Sequence, residues 1–252
     1  MNASLQGRAA FISGAGHGIG RASALAMARL GATIGVNDLK QEFVDETVAE
    51  IRALGGQAIP LPQDVSTREG MREAVLRFAA DARGLDIMVN NAAWVRYQPL
   101  AEITPEVMDR MVEIGFKSVI WGIQAAAEVM SPERGGAIIN VASIAGFKSP
   151  MRSVVYSGIK AGVLGITRAA AADLGTRNIR VNAVAPGAVP TEGTAKHRNA
   201  DLDAKRIART PLGRLGTVED IADAICFLAG DGARFLTAEV LRLDGGASET
   251  SL

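Results

Sequence analysis

Short apolar runs alternate with longer helical patterns along nearly the whole of this chain. Residues 8–13, 32–36, 57–61, 85–89, 137–142, 179–184 and 239–243 are β-prone runs bounded by glycine or polar side chains, and they read as buried strands. Between them, residues 21–30, 41–54, 67–82, 105–130, 154–175 and 218–228 carry helix formers in helical patterns. Strands separated by helices of this length pair in parallel through right-handed crossovers. The pattern therefore predicts a single α/β domain, a doubly wound parallel sheet with helices on both faces. It breaks once, where Pro186, Gly187, Pro190, Gly193, Pro211 and Gly213 bracket a polar segment. An interruption of that length in a compact domain points to a functional loop, here a substrate-binding lid at about residues 188–213.

Composition narrows the function classes. Lys+Arg and Asp+Glu are equal at 27 each, so no global field attracts nucleic acid or an anionic membrane, and a small-molecule partner is the expectation. No apolar stretch reaches membrane-spanning length and the N-terminus has no signal-peptide pattern. The single cysteine, Cys226, lies in an apolar helical pattern, where core packing is the expected role, and a reducing, cytoplasmic setting follows. The two histidines form no clustered ligand set, so no metal is expected. His197, with Lys196, Arg198, Arg206 and Arg209, is assigned to the water-facing side of the lid.

Candidate chemistry begins after the first strand. Gly14, Gly18 and Gly20, with His17 and Ile19 between them, make a glycine-rich turn into a helix, where backbone N–H groups can face a pyrophosphate. Asp38 ends the second strand, where a carboxylate can accept from adenosine ribose hydroxyls and would repel a 2′-phosphate. Leu39 beside it supplies no cation, so NAD is favoured over NADP. The alternative for Asp38 is a helix N-cap. Farther on, Tyr156 and Lys160 stand at i and i+4 on one helical face. An ammonium ~4 Å from a phenol at an effective dielectric of ~20 is worth roughly 4 kcal/mol, about three pKa units, which predicts a Tyr156 close to neutrality and able to act as general acid or base. Ser143 ends an apolar run and falls at a strand's carboxyl end, where ligands bind in open α/β sheets. A Tyr-x-x-x-Lys pair by itself is also an ordinary solvated helix face.

Gly14-x-x-x-Gly18-Ile19-Gly20, Asp64-Val65, Asn90-Asn91-Ala92, Ser143, Tyr156-x-x-x-Lys160, Asn182, Pro186-Gly187 and Thr191 occur in this order across essentially the whole chain. In this the sequence resembles the classical short-chain dehydrogenase/reductase family, whose domain is of the Rossmann type. The resemblance implies that Tyr156 gives or takes the proton, that Ser143 holds the substrate oxygen, and that Lys160 lowers the tyrosine pKa and binds the nicotinamide ribose. It further implies that Asp64 and Val65 hold the adenine, Asn90 and Ala92 the cofactor backbone, and the turn from Pro186 through Val189 to Thr191 the nicotinamide carboxamide. The implied activity is hydride exchange between a nicotinamide cofactor and a secondary alcohol or ketone, in a homotetramer. A 3-oxoacyl carrier-protein reductase, a sugar or polyol dehydrogenase, and a cofactor-binding regulatory protein are the alternatives.

Several positions depart from the family pattern. Ser13 replaces a common threonine, Ala93 a common glycine, and Ile159 a usual small residue or serine. Gly115 stands where the family usually has an asparagine that positions a relay water, and an extra water is expected to fill its place. Trp94, Val95, Arg96, Ala145, Pro150, Met151, Arg152 and Val189 are the substrate-pocket candidates. Most are apolar, which suggests a hydrophobic or cyclic alcohol, while Arg96 and Arg152 offer a carboxylate site or simply face water. Apolar positions on more than one side of the 105–130 helix, such as Val112, Ile114, Val119, Ile120 and Trp121, suggest a second partner surface or ordinary intrachain burial.

Overall fold

The computed structural model of the chain describes residues 4–193 and 199–250. Seven strands, β1 (Ala9–Ile12), β2 (Thr33–Asp38), β3 (Gln57–Pro62), β4 (Ile87–Asn90), β5 (Gly136–Val141), β6 (Ile179–Pro186) and β7 (Val240–Leu243), form one sheet. All neighbours pair in parallel, in the order β3-β2-β1-β4-β5-β6-β7. Every strand expected from the hydrophobic pattern is present; the inner strands β1, β4, β5 and β6 are buried on both faces, while β3 and β7 at the sheet edges are only partly covered.

Helices α1 (Gly18–Arg29), α2 (Gln41–Ala53) and α8 (Val218–Ala229) cover one face of the sheet, and α3 (Arg68–Asp81), α5 (Ser118–Val129) and α6 (Val154–Leu174) the other. In the first layer Met27, Val48 and Ile225 share one apolar cluster with Ile34, Val36 and Val184 of the sheet. In the second, Phe78, Val119 and Val163 share a cluster with Phe11, Met88 and Val181, and the rings of Phe11 and Phe78 meet edge to face at 6.0 Å. Cys226 belongs to the first layer, and burial pushes its thiol up to about 12, which suits packing rather than reactivity. Among the described residues no helix is long and apolar enough to cross a membrane.

Two elements differ from the sequence expectation. The single helix expected over 105–130 is divided into α4 (Pro105–Val112) and α5 by a π-helical turn at Glu113–Lys117, centred on Gly115. A glycine lacks the side-chain packing that keeps a helix in register, and widened turns of this kind concentrate at functional sites. Within the polar segment, α7 (Ala200–Ala208) is a helix that periodicity missed because none of its residues is buried. It starts where the Asn199 side chain accepts the N–H groups of Asp201 and Leu202. Lys196, His197 and Arg198 lie outside the described residues.

Strand order reverses between β1 and β4, so their carboxyl ends open a crevice in which a ligand can meet both halves of the sheet.

Candidate active site

Ser13 follows β1, and its hydroxyl donates to the Val89 carbonyl at 3.3 Å while accepting the N–H groups of Asn91 and Ala92 at 3.0 and 3.1 Å. The Asn91 side chain donates to the carbonyls of Ser13 and Gly14 at 2.9 and 3.0 Å. These bonds clamp the glycine-rich turn to β4 at the reversal point. Gly14 has φ +64, and a Cβ on it would stand 3.0 Å from the Ala92 Cα; a Cβ on Gly20 would run into the Gly14 carbonyl oxygen. Backbone crosses backbone here with no room for a methyl group, so only glycine fits. The turn feeds α1, whose N-cap His17 makes no side-chain capping bond. The helix's first N–H groups and positive dipole end therefore face the crevice and suit an anion.

Asp38 ends β2 with its side chain only 11% exposed, and its Oδ2 accepts the Gly16 N–H at 3.2 Å. Lys40, not Asp38, is the N-cap of α2, so the cap alternative gives way to one in which Asp38 holds the glycine-rich turn. His17 Nδ1 is 3.8 Å from the same carboxylate and Leu39 is exposed beside it. Beyond β3, Val65 is buried and Asp64 accepts the Ser66 N–H at 2.9 Å. The Asn90 side chain turns into the sheet, donating to Asn140 at 2.9 Å, which donates to Thr167 at 3.0 Å. Only the backbone of Asn90, continuing into Ala92, is left on the crevice side.

At the end of β5, Ser143 accepts the Ala145 N–H at 3.1 Å and starts the short turn Ile144–Gly146. Its hydroxyl lies toward the Tyr156 phenol and favours the ionised form of that phenol. Lys160 lies one turn along α6, fully buried, with Nζ donating to the Val141 carbonyl at 2.6 Å and standing 5.9 Å from the centre of the Tyr156 ring. The three side chains are thus brought together, but the electrostatics differ from the sequence expectation. Burial raises the Tyr156 pKa above the ordinary phenol value, and the neighbouring Ser143 hydroxyl lowers it by less. Burial also pushes Lys160 from 10.5 down to about 8. The expected shift of the phenol to neutrality assumed an ammonium ~4 Å away in a well-screened setting; the lysine instead points past the ring to a backbone carbonyl, in a dry interior that penalises both charges.

Gly115 and Ile159, the two departures nearest Lys160, touch. A Cβ on residue 115 would stand 3.2 Å from Ile159 Cγ2, so hydrocarbon walls the place where a water was expected. Gly115→Asn is expected to lower stability by about 1–2 kcal/mol without raising turnover, because the Ile159 methyl must move aside. Combining it with Ile159→Ser should recover most of that loss, a coupling that chemical denaturation of the four-member cycle measures. Additive losses would show that the two residues do not compensate each other.

The remaining pocket candidates fall into two groups. Ala145 is buried beside Ser143, and Val189 is half-buried against the core. Trp94 is stacked by Arg110 at 4.5 Å, Val95 is 38% exposed, and Met151 at 89% stands in water. Arg96 and Arg152 are exposed, and Arg152 adopts φ 62 with its carbonyl accepting the Gln98 N–H at 3.0 Å. Pro186 and Gly187 close β6, where the Gly187 N–H donates to the Leu243 carbonyl at 3.0 Å, and Thr191 lies over the glycine-rich turn.

Tyr97 was not singled out by its sequence, yet its ring meets Tyr156 edge to face at 5.6 Å. Although 52% of its surface is exposed, desolvation of the rest is the main cause that lifts its phenol above the ordinary value; the Tyr156 charge adds to this and Arg206 opposes it. A tyrosine in a loop carries no periodic signal, and only the fold brings it to Tyr156. Gly16 and Asn91 were visible in the glycine-rich and Asn-Asn-Ala motifs, but not their bonds to Asp38 and Ser13.

The family model described as Enoyl-(Acyl carrier protein) reductase matches residues 14–248. The chain is 36% identical over 242 residues to the 3-oxoacyl-[acyl-carrier-protein] reductase FabG of Thermotoga maritima, covering 96% of this chain and 98% of that one. It superposes on a putative short-chain alcohol dehydrogenase from Sinorhizobium meliloti 1021 with a TM-score of 0.95 at 34% identity, over 98% and 99% of the two chains. It is similarly close to a 7α-hydroxysteroid dehydrogenase complexed with NADH and 7-oxo glycochenodeoxycholic acid, with a TM-score of 0.93 at 32% identity over 96% and 95%.

Proposed function

Because the chain belongs to the short-chain dehydrogenase/reductase family of oxidoreductases, we propose that it interconverts a secondary alcohol and its ketone with NAD(H) as cofactor. The observation that carries this reading is the convergence of Ser143, Tyr156 and the buried Lys160 at the carboxyl end of the sheet, which the clamped glycine-rich turn also occupies. The turn fits a dinucleotide, since glycines at 14 and 20, where a Cβ would meet Ala92 and the Gly14 carbonyl oxygen, let the chain fold tightly into the start of α1, and a helix N-terminus suits a phosphate. Gly14, Gly18, Ile19 and Gly20 would hold the pyrophosphate, Asp38 the adenosine ribose, Asp64 and Val65 the adenine, and the strand end from Pro186 to Thr191 the nicotinamide side.

The chemistry supplied by the dinucleotide when bound is the giving or taking of a hydride at the substrate carbon. The chain's own residues orient the substrate and move the proton. Ser143 Oγ holds the substrate oxygen against Tyr156, whose phenol gives its proton in ketone reduction and recovers it in alcohol oxidation. Lys160, when charged, favours the phenolate left behind, and its buried position keeps that charge dry and effective. The substrate is proposed to be hydrophobic or cyclic, which the apolar Trp94, Val95 and Ala145 support, as does the cyclic ketone in the complex of the hydroxysteroid dehydrogenase. The stretch at about 188–213 is proposed to cover it. Exposed Met108 and Val154, at 49% and 56%, support contact of α4 and α6 with a second copy in a homotetramer.

Asp38 supports NAD over NADP, because the nearby Lys40 is already 3.5 Å from Glu42 and lies over the Phe43 ring at 4.9 Å. A carbonyl panel of aliphatic, cyclic, steroid-like and keto-acid compounds, assayed with NADH and with NADPH, tests the whole reading. Wild type is expected to oxidise NADH in the presence of a cyclic ketone. Asp38→Ala is expected to shift the ratio of kcat/KM values toward NADPH by about tenfold, as removal of a carboxylate facing a phosphate should. A wild type that prefers NADPH would refute the role given to Asp38. The relationship to FabG favours carrier-protein reduction as the second reading, and turnover of a 3-oxoacyl thioester but no free ketone would select it.

A further inference from the structure

The strand-end segment after Pro190 leans on the glycine-rich turn. Its Glu192 carboxylate accepts the N–H of Gly18, the first residue of α1, at 3.1 Å. Thr191 packs beside it, with Cγ2 3.3 Å from where a Cβ on Gly18 would stand, and Gly193 lies over the His17 ring. An anion of the protein's own thus occupies the positive end of α1, where negative charge is favoured. Asp38 binds the other side of the turn through Gly16, so the two carboxylates divide it between them. Only Glu192 stands at the helix N-terminus.

We propose that Glu192 is an internal competitor of the dinucleotide phosphates, a residue that sets how tightly the cofactor is held without taking part in the reaction. This rests on the reading that the turn receives a nicotinamide dinucleotide. A pyrophosphate and a carboxylate cannot share the Gly18 N–H without strong repulsion, so binding must move Glu192 away. Glu192 is exposed, and its carboxylate reaches water at little cost once displaced. When the dinucleotide leaves, the carboxylate returns and the N–H regains an acceptor. Product release is therefore assisted by the same contact that weakens binding.

Calorimetric titration of NADH and of adenosine into wild type, Glu192→Gln and Glu192→Ala tests this. Glutamine keeps the shape and an acceptor but removes the charge, so it answers the question even if alanine disturbs the segment. Both variants are expected to bind NADH about 3- to 10-fold more tightly, and the gain should shrink as sodium chloride rises, because an exposed charge is screened. Adenosine, which has no phosphate, should bind all three proteins equally. Unchanged or weaker NADH binding in both variants overturns the proposal, as does an equal gain for adenosine. If wild type and variants alike bind no NADH, the cofactor reading itself fails and takes this one with it, a result distinguishable from the others by the wild-type titration alone.

Discussion

Tyr156→Phe is expected to reduce turnover by about 1,000-fold while leaving NADH affinity and the thermal midpoint close to wild type. The phenyl ring keeps the edge contact with Tyr97, and removing one buried hydroxyl costs only about 1 kcal/mol. What disappears is the dissociable phenolic proton beside Ser143, and no other phenol in this pocket is placed to replace it. Tyr97 is the nearest, but burial, which persists in the variant, raises its pKa, so it is a poor proton donor to a new alkoxide. Steady-state rates with the best ketone from the panel, alongside NADH titration, decide the matter. Retention of more than a few per cent of the activity would mean that the proton comes from elsewhere.

Lys160→Met is expected to abolish most activity and yet make the protein more stable at neutral pH. The folded chain holds this lysine at about 8 against 10.5 for an unperturbed one, a difference worth about 3 kcal/mol. Below pH 8 both folded and unfolded chains carry the proton and the penalty of burying it is felt in full. Between 8 and 10.5 the unfolded chain holds more protons than the folded one, so stability rises with pH; above 10.5 the penalty is gone. Methionine fills similar space without a charge but leaves the Val141 carbonyl without its donor, which returns about 1 kcal/mol. The net gain is therefore about 2 kcal/mol at pH 7, fading toward pH 10.5. Denaturation curves of both proteins across that range check it, and a variant that is less stable at pH 7 would show that the lysine is not held at a cost.

This trade between stability and a buried charge was not legible in the sequence. Spacing alone placed Tyr156 and Lys160 on one helical face, and the structure agrees, but spacing cannot say that the ammonium turns to the Val141 carbonyl. The strands were legible because most are apolar runs closed by a polar residue, as at Asp38 and Asn90. The π-helical turn at Glu113–Lys117 was not, since a widened turn leaves no periodic mark; the glycine at 115 was noticed as an anomaly without its geometry. Tyr97 and Glu192 escaped for a different reason. Each reaches the site through a loop whose course is set by contacts far away in the sequence: Tyr97 meets a ring 59 residues later and Glu192 an N–H 174 residues earlier.

The clamp between Ser13 and Asn91 also imposes an order in time. The two residues stand 78 positions apart, so during synthesis the glycine-rich turn leaves the ribosome long before the side chain that fixes it. No nascent chain shorter than 91 residues can hold the turn by this means, and non-local strand pairing of the β1–β4 kind is slow to form. The nucleotide end is assembled when β4 docks, the proton-transfer end when α6 follows β5, and the Glu192 contact last of all. A chain arrested between the first and second of these events holds the clamped turn without Tyr156 and Lys160, and the Glu192 carboxylate that later accepts the Gly18 N–H has yet to be made.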